Sequence, residues 1–293
     1  DLGPTGSYIF KSTTDKVTTA AGIFAEGTYS FSPNTRLTAG IRYDHTKIEI
    51  DQNYTSFLGI TQSLTGANRL ASFDNVTYKV RLEHDLTPQN LIYATVSTGF
   101  SPGDKTLTQD PTGNPIPVIL KAQTLTAYEI GTKNRFLDNH LQINISAYYN
   151  DYGGYQTAGI NTAPPGPIRI FETITSPVKS YGVELEVQAR PWTNGTFNLT
   201  ASYTHARYES FSGANPTTDY AKFFSTDIVA PSPPFQMSGS YDHQVDLGGA
   251  KLFLRAALRY VAPHASSRLD DSFALLGATP YVSVPGRTLG DLN

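Results

Sequence analysis

Cysteine is absent from the 293-residue chain, which excludes disulfides, cysteine-bound zinc and a thiol nucleophile. The chain also has no large excess of charge of one sign, since it contains 22 Lys and Arg residues and 25 Asp and Glu residues. We therefore expect no nucleic-acid partner, because no basic surface is available for a phosphate backbone. No segment approaches the roughly 20 consecutive apolar residues that a spanning helix needs. If the chain crosses a membrane, it crosses as β-strands.

Motifs for catalysis and metal binding are lacking too. The sequence contains no P-loop, GxGxxG, GxSxG or HExxH pattern. The six histidines are scattered, and only His45, beside Asp44, and His264, in a long polar segment, are candidates for a catalytic base. We expect no catalytic residue, no metal site and no cofactor.

Apolar and polar residues alternate in about ten segments of about 10 to 14 residues each. This alternation is the pattern of β-strands whose two faces lie in different environments. One segment places Val76, Tyr78 and Val80 on one face and Lys79 and Arg81 on the other. The apolar faces chosen in this way contain no charged residue, whereas the opposite faces are openly ionic. The pattern predicts strands with one face against lipid or a core and the other in water.

The links between these segments alternate between short and long. Short links contain the Pro, Asn, Asp and Gly residues of tight turns, at 32–34, 86–88, 137–138, 191–195 and 246–249. Long links span 51–73, 101–123, 153–179, 207–233 and about 263–284. Short periplasmic turns and long extracellular loops are typical of bacterial outer-membrane barrels. Aromatic residues at the strand ends fit interfacial girdles, with Tyr29, Phe31, Phe136 and Trp192 near the turns and Tyr43, Phe100, Tyr149 and Tyr260 near the loops.

We therefore predict an all-β fold, an antiparallel transmembrane β-barrel in the outer membrane of a Gram-negative bacterium, with outer-membrane lipid against its apolar face. About ten strands are complete, and an eleventh begins at 286–293.

A family resemblance makes the prediction more specific. The segment YEIGTKNRF at 128–136, its short turn, and AYYNDY at 147–152 resemble a pattern of TonB-dependent receptors. Further similar segments lie at 39–43, 93–103, 182–186 and 284–288, so the resemblance runs from about residue 18 to the end. It implies a 22-stranded barrel filled by an N-terminal plug, a size at which a plugged lumen is expected. It also implies active uptake of a scarce ligand, typically a ferric siderophore, powered by the TonB–ExbB–ExbD complex through the plug segment.

Measured against that family, residues 1–293 are expected to form one partial barrel domain of about ten to eleven strands. The plug, the TonB-contacting segment and the C-terminal closing strands are not recognisable in this sequence. The ligand itself is left open among siderophores, haem, vitamin B12 and oligosaccharides, because selectivity depends on the plug and loops.

Ligand contact is expected from aromatic and polar residues where strands enter the long loops, and from inward arginines that would attract an anionic chelate. The first region comprises Phe100, Tyr148, Tyr152, Tyr155 and Gln156, and the second comprises Tyr208, Phe211, Tyr220, Phe223 and Phe224. The arginines are Arg255 and Arg259. Other inward charges, namely Arg81, Glu83, Glu129 and Lys133, are expected to form solvated networks along the wall or to hold the plug.

Two other classes of protein remain open at this point. A complete ten-stranded outer-membrane enzyme or porin would fit the length but requires a closing strand. A soluble secreted β-rich binding protein would share the aromatic residues and the absence of cysteine.

Overall fold

The computed structural model describes residues 11–55, 60–64, 66–109, 115–161, 170–209, 212–213, 229, 231–268 and 281–292. Apart from a 3₁₀ helix at Gly66–Arg69, the described elements are strands. None of the helical residues in these ranges forms a helix long and apolar enough to cross a membrane.

The first nine strands are β1 (Lys11–Ser32), β2 (Thr35–Thr55), β3 (Thr61–Ser63), β4 (Leu70–Thr87), β5 (Asn90–Ser101), β6 (Asp104–Gln109), β7 (Pro115–Leu120), β8 (Gln123–Phe136) and β9 (Leu141–Asn161). The remaining strands are β10 (Ile170–Trp192), β11 (Gly195–Tyr208), β12 (Ser212–Gly213), β13 (Phe235–Asp246), β14 (Lys251–Val261), β15 (His264–Arg268), β16 (Tyr281–Val284) and β17 (Arg287–Leu292).

Eleven of these strands form a continuous antiparallel wall in the order β1-β2-β4-β5-β8-β9-β10-β11-β13-β14-β17. Each wall strand pairs with the next one along the chain, so the topology is a meander. Within the described residues β1 and β17 do not pair with each other, and the sheet stays open. The predicted all-β antiparallel wall is confirmed, as is the eleventh strand.

The two faces of the wall differ as the alternation predicts. On β4 every second residue is exposed, including Val76, Tyr78, Val80 and Leu82, and the residues between them are partly covered. The exposed apolar set recurs on the neighbouring strands, for example at Ile41 and Ile130. We call this apolar side the outward face and the ionic side the inward face.

The short links are tight turns, as predicted. In the β8–β9 turn, Leu137, Asp138 and Asn139 all have positive φ, a conformation that Asp and Asn tolerate better than most residues. The His140 amide donates to the Leu137 carbonyl oxygen at 3.0 Å and closes the turn.

The predicted bounds of the long loops are wrong at several strand ends. β2 continues to Thr55, β9 continues to Asn161 and β10 begins at Ile170, all within ranges predicted to be loop. Two separate hairpins, β6–β7 and β15–β16, lie in the links 101–123 and 263–284. Alternation could not reveal these extensions, because a strand that projects beyond the membrane has water on both faces and needs no apolar side.

A small apolar core lies in these extensions. Ile48 and Ile50 on β2 are each 2% exposed and pack with Tyr54, Leu64 and Leu107, the last contributed by the β6–β7 hairpin. Because Ile48 and Ile50 continue the parity of the inward residues Arg42 and Asp44, the hairpin packs on the inward side of the wall. The loop end of the structure is therefore partly filled by its own chain.

Candidate functional site

Four tyrosines meet at the loop end of the wall, on strands β9 and β11. We call Tyr148, Tyr152, Tyr155 and Tyr208 the tyrosine cluster. The rings of Tyr152 and Tyr155 meet edge to face with centroids 6.1 Å apart, and those of Tyr155 and Tyr208 are 6.2 Å apart. The hydroxyl of Tyr148 shares a hydrogen bond with the Thr204 hydroxyl at 2.9 Å. All four tyrosines are ligand-contact candidates predicted from the sequence, and the fold brings them together.

A bulge places Tyr152 and Tyr155 side by side. Tyr152 pairs with Val178 and Tyr155 with Ser176, so three residue steps on β9 match two on β10. Such a shift reverses the parity of the residues beyond it. Gly154, with φ of 70°, supplies the backbone conformation that the bulge requires. Without the bulge, Tyr152 and Tyr155 would project from opposite faces.

The base of the cluster is well packed. Val178 is 3% and Tyr208 7% exposed, so the ring of Tyr208 is held in place by its cross-strand neighbour. Tyr152 lies three residues beyond the girdle residue Tyr149, and burial raises the pKa of its hydroxyl. Its phenol is consequently neutral at physiological pH and offers a hydrogen-bond donor and a ring face.

Gln156 is hydrogen-bonded to the link between β7 and β8 and to the first residue of β8. Its side-chain amide donates to the Lys121 carbonyl oxygen at 2.7 Å, and its backbone amide donates to Gln123 Oε1 at 3.3 Å. These bonds join β9 to Lys121 in the β7–β8 link and to Gln123 at the start of β8, beside the cluster. Gln156 therefore holds a position next to Tyr155.

Other predicted residues are not in the cluster. Phe100 pairs with Thr124 and shares the parity of Tyr128, which puts it on the outward face. Arg255 lies near the short turns, 3.6 Å from Asp242, at the opposite end of the wall. Phe211, Tyr220, Phe223 and Phe224 lie outside the described residues.

Arg259 lines a separate concavity of about 640 Å³ in the middle of the inward face. Glu184 and Glu186 on β10 line it as well, together with small hydroxyl side chains such as Ser202. Asn144 donates to Glu186 at 2.9 Å, while its own side-chain oxygen is buried and has no hydrogen-bond partner among the described residues. Buried acceptors are normally hydrogen-bonded, so we expect the Asn144 side-chain oxygen to accept a hydrogen bond from a donor of another segment.

The inward charges of β2 and β4 form a connected network. Arg36 contacts Glu83 at 3.0 Å and Asp85 at 2.6 Å, and Arg81 contacts Glu83 at 3.0 Å. Tyr93, which was not among the residues predicted from the sequence, links this network to β8. Its hydroxyl donates to Glu129 at 2.6 Å and its ring lies 4.2 Å from the Arg81 guanidinium carbon. The signal for Tyr93 in the sequence was its parity, which is opposite to that of the outward residues of β5.

The histidine candidates do not form a catalytic arrangement with the residues named for them. His45 Nδ1 lies 2.8 Å from Asp74, whereas its sequence neighbour Asp44 pairs with Arg42 at 2.7 Å on the inward face. His264 Nδ1 lies 3.0 Å from the Ala262 carbonyl oxygen. Across the described ranges, no group of three or more His, Asp or Glu side chains could hold a metal ion.

Comparison with known families gives a match over the whole chain. The family model described as "TonB dependent receptor-like, beta-barrel" matches residues 1–293. Among curated proteins, the ferric-pyoverdine 358 receptor of Pseudomonas putida is 23% identical over 68% of this chain. A probable TonB-dependent siderophore receptor, PiuA of Acinetobacter baumannii, is 26% identical over 65% of it. The matched regions cover 23% and 24% of those two proteins, so the chain corresponds to about a quarter of their length.

Solved structures share the fold. The ferric yersiniabactin uptake receptor FyuA of Yersinia pestis superposes with a TM-score of 0.74 at 17% identity, covering 99% of this chain and 39% of FyuA. The crystal structure of PiuA gives a TM-score of 0.67 at 17% identity, covering 95% of this chain and 37% of PiuA. At these identities the likeness describes the fold alone.

Proposed function

The chain belongs to the TonB-dependent receptor-like β-barrel family, and on this premise we propose that it forms barrel wall and extracellular rim in a receptor that imports a ferric siderophore. The family's barrels lie in the outer membrane, so the chain is an outer-membrane β-barrel protein whose outward face contacts lipid. The short turns are then periplasmic and the tyrosine cluster is extracellular.

The tyrosine cluster is the observation on which the ligand proposal rests. Its rings present aromatic faces and hydroxyl groups beside one another at the rim, a combination suited to an iron chelate whose chelating groups are planar and whose edges are polar. The curated relatives are named as ferric-pyoverdine and siderophore receptors, which favours an iron chelate over the other ligands.

The inward face is proposed to hold a plug. A barrel of 22 strands, of which this chain would form about half, is wide enough to need one. The concavity lined by Glu184, Glu186 and Arg259 offers charges and, at Asn144, an acceptor without a partner among the described residues. A plug segment with basic and amide donors would satisfy these groups, and TonB with ExbB and ExbD would act on that plug.

Two alternatives are less favoured. The family is one of transport receptors, and we propose that this chain has no catalytic role. A ten-stranded enzyme or porin, or a soluble secreted binder, would not account for a barrel-family match over residues 1–293.

The test is uptake of ⁵⁵Fe-loaded pyoverdine and other siderophores by cells that depend on the receptor containing this chain. We expect the double substitution Tyr152→Ala and Tyr155→Ala to reduce uptake by about fivefold to 150-fold at limiting siderophore, because loss of two aromatic contacts costs roughly 1 to 3 kcal/mol. Tyr149→Ala, on the outward face of the same strand, is the matched control and should leave uptake near normal.

Receptor abundance in the outer membrane is measured in parallel, so that a folding defect is recognised. If the double variant is present at normal abundance and imports every siderophore at the normal rate, the tyrosine cluster is not the ligand site.

A further inference from the structure

The inward face of the wall has two halves that differ in the chemistry of their side chains. The half formed by β1, β2 and β4, which we call the charged half, is covered by long side chains that are paired with one another. Lys79 on β4 reaches Glu26 on β1 at 3.1 Å, across β2, and Arg42 contacts Asp44 at 2.7 Å. Because these charges already have partners, a passing ligand could bind them only by breaking an ion pair.

The half formed by β9, β10, β11 and β13 carries short and mostly uncharged side chains. The inward positions at 142–146 of β9, 198–206 of β11 and 236–240 of β13 are all described, and none of them is Lys, Arg, Asp or Glu. Their hydroxyl and amide groups lie opposite one another in the strand register, as Thr200 does with Ser238 and Ser202 with Gln236. We call these inward positions the polar strip.

The polar strip begins directly beneath the tyrosine cluster. The hydroxyl of Tyr148 shares its hydrogen bond with Thr204, and the next inward residues toward the short turns are Ser146 and Ser202. Both serines line the concavity of about 640 Å³. Successive inward positions on one strand are about 7 Å apart. A ligand that leaves the tyrosine cluster therefore meets a new hydrogen-bonding group at each such step.

The chemistry of the polar strip suits passage better than tight binding. Permeation requires sites that bind strongly enough for entry and weakly enough for exit. Hydrogen bonds between neutral groups are weaker than those to charged groups. Short side chains such as Ser146 and Ser202 also leave the space in front of the wall open. The polar strip thus offers several weak sites in succession, whereas the charged half offers side chains that already bind one another.

We propose that the polar strip is the path along which the ligand moves from the tyrosine cluster toward the periplasm. The ligand that fits is a chelate with several amide, hydroxyl or carbonyl groups on its surface, because these groups exchange hydrogen bonds with successive residues of the strip. At rest the plug segment covers Glu184 and Glu186 of β10, between the strands of the strip, and its displacement uncovers the path. The proposal rests on the proposed function, since only an importing receptor needs such a path.

Capture of the ligand in transit tests the path in the receptor that contains this chain. A siderophore found to be imported in the uptake assay is given a bromoacetyl group, whose bromide is displaced by a cysteine thiolate to form a thioether. The 293 residues include no cysteine, so Ser202→Cys introduces a single thiol into this part of the receptor. Thr77→Cys is the matched control, because Thr77 also lines an inward concavity, of about 320 Å³, but lies beside Arg42 and Lys79 on the charged half.

We expect energised cells with Ser202→Cys to form the adduct, measured by mass spectrometry of the receptor, and cells treated with an uncoupler to form none. The yield should be at least about tenfold above that of Thr77→Cys, because a ligand confined beside the thiol is present at a high effective concentration. Thr200→Cys is a second strip variant, used should Ser202→Cys fail to reach the outer membrane at normal abundance.

The outcomes separate the path from the proposed function. Equal yields at the strip and control positions would overturn the path alone, as would the absence of an adduct at Ser202→Cys and Thr200→Cys while the bromoacetyl siderophore enters the cells. If the unsubstituted receptor neither binds nor imports any siderophore, the proposed function fails and the path fails with it.

Discussion

Glycine on the inward face lets tyrosine side chains cross from one strand to the next. A Cβ atom on Gly131 would lie 2.6 Å from the hydroxyl of Tyr93, and one on Gly182 would lie 2.6 Å from the hydroxyl of Tyr148. Both tyrosines are directly opposite these glycines in the strand register. The rings thus cover the backbone of their neighbours, and this holds Tyr148 of the tyrosine cluster in place.

Gly182→Ala should therefore destabilise the barrel. The new methyl group would also lie 2.1 Å from the Tyr203 carbonyl oxygen, a backbone atom that cannot move aside as a side chain can. In the receptor that contains this chain, we expect a loss of about 1 to 3 kcal/mol, typical of overpacking, seen as a lower temperature for loss of heat-modifiable gel migration. Gly27→Ala is the control, because nothing lies within 4 Å of its Cβ position. Equal transition temperatures for both variants would contradict this account.

At the scale of elements, the contacts that hold the β6–β7 hairpin to the wall include the apolar side chain of Leu107 and a set of polar bonds. Leu107 is 5% exposed in the core with Ile48 and Ile50. Its backbone amide donates to Gln52 Oε1 at 2.8 Å, and Lys16 pairs with Asp104 at 2.8 Å. The hairpin is thus a docked element of the rim.

Leu107→Ala should undock this hairpin without unfolding the wall. Removal of a buried leucine side chain costs at least about 2 kcal/mol, which corresponds to roughly 30-fold faster local amide exchange. Hydrogen exchange measured by mass spectrometry should show this acceleration within 104–120 and not in β8 or β9. Ile119→Ala, on the same hairpin but 61% exposed, should change exchange little. Uniform acceleration across the wall would mean that the hairpin is part of the global folding unit.

At the scale of the whole molecule, the open sheet has two edges. Within the described residues β1 pairs only with β2, and all of its 22 residues are exposed. Unpaired backbone groups are costly in hydrocarbon and promote association in water.

We therefore expect the isolated 293-residue chain to aggregate when placed in lipid vesicles and to lack heat-modifiable migration on a denaturing gel. Supplying the remaining barrel strands of a receptor of this family should restore both a monomer and heat modifiability. A monodisperse, heat-modifiable barrel from the chain alone would contradict the half-barrel proposal and reopen the ten-stranded alternative.

The sequence by itself determined the wall. The all-β class and the two faces of the wall followed from alternation at positions such as Val76 to Leu82, because a strand between lipid and water has to alternate residue by residue. The order of the strands followed from tight turns such as those at 86–88 and 137–138. The same pattern also yielded the tyrosines as candidates.

Only the tertiary structure decided which candidates meet. Tyr152 and Tyr155 share a face because a bulge at Gly154 shifts the register, and Arg255 is separated from them because it lies near the opposite end of the wall. The strand extensions and the β6–β7 hairpin also required the structure, since outside the membrane the alternation that identifies a strand is no longer enforced. The local alternation of apolar and polar residues thus determined which face of the wall most residues lie on. Bulges and docked hairpins depend on distant partners, and they determined how the side chains at the loop end are arranged.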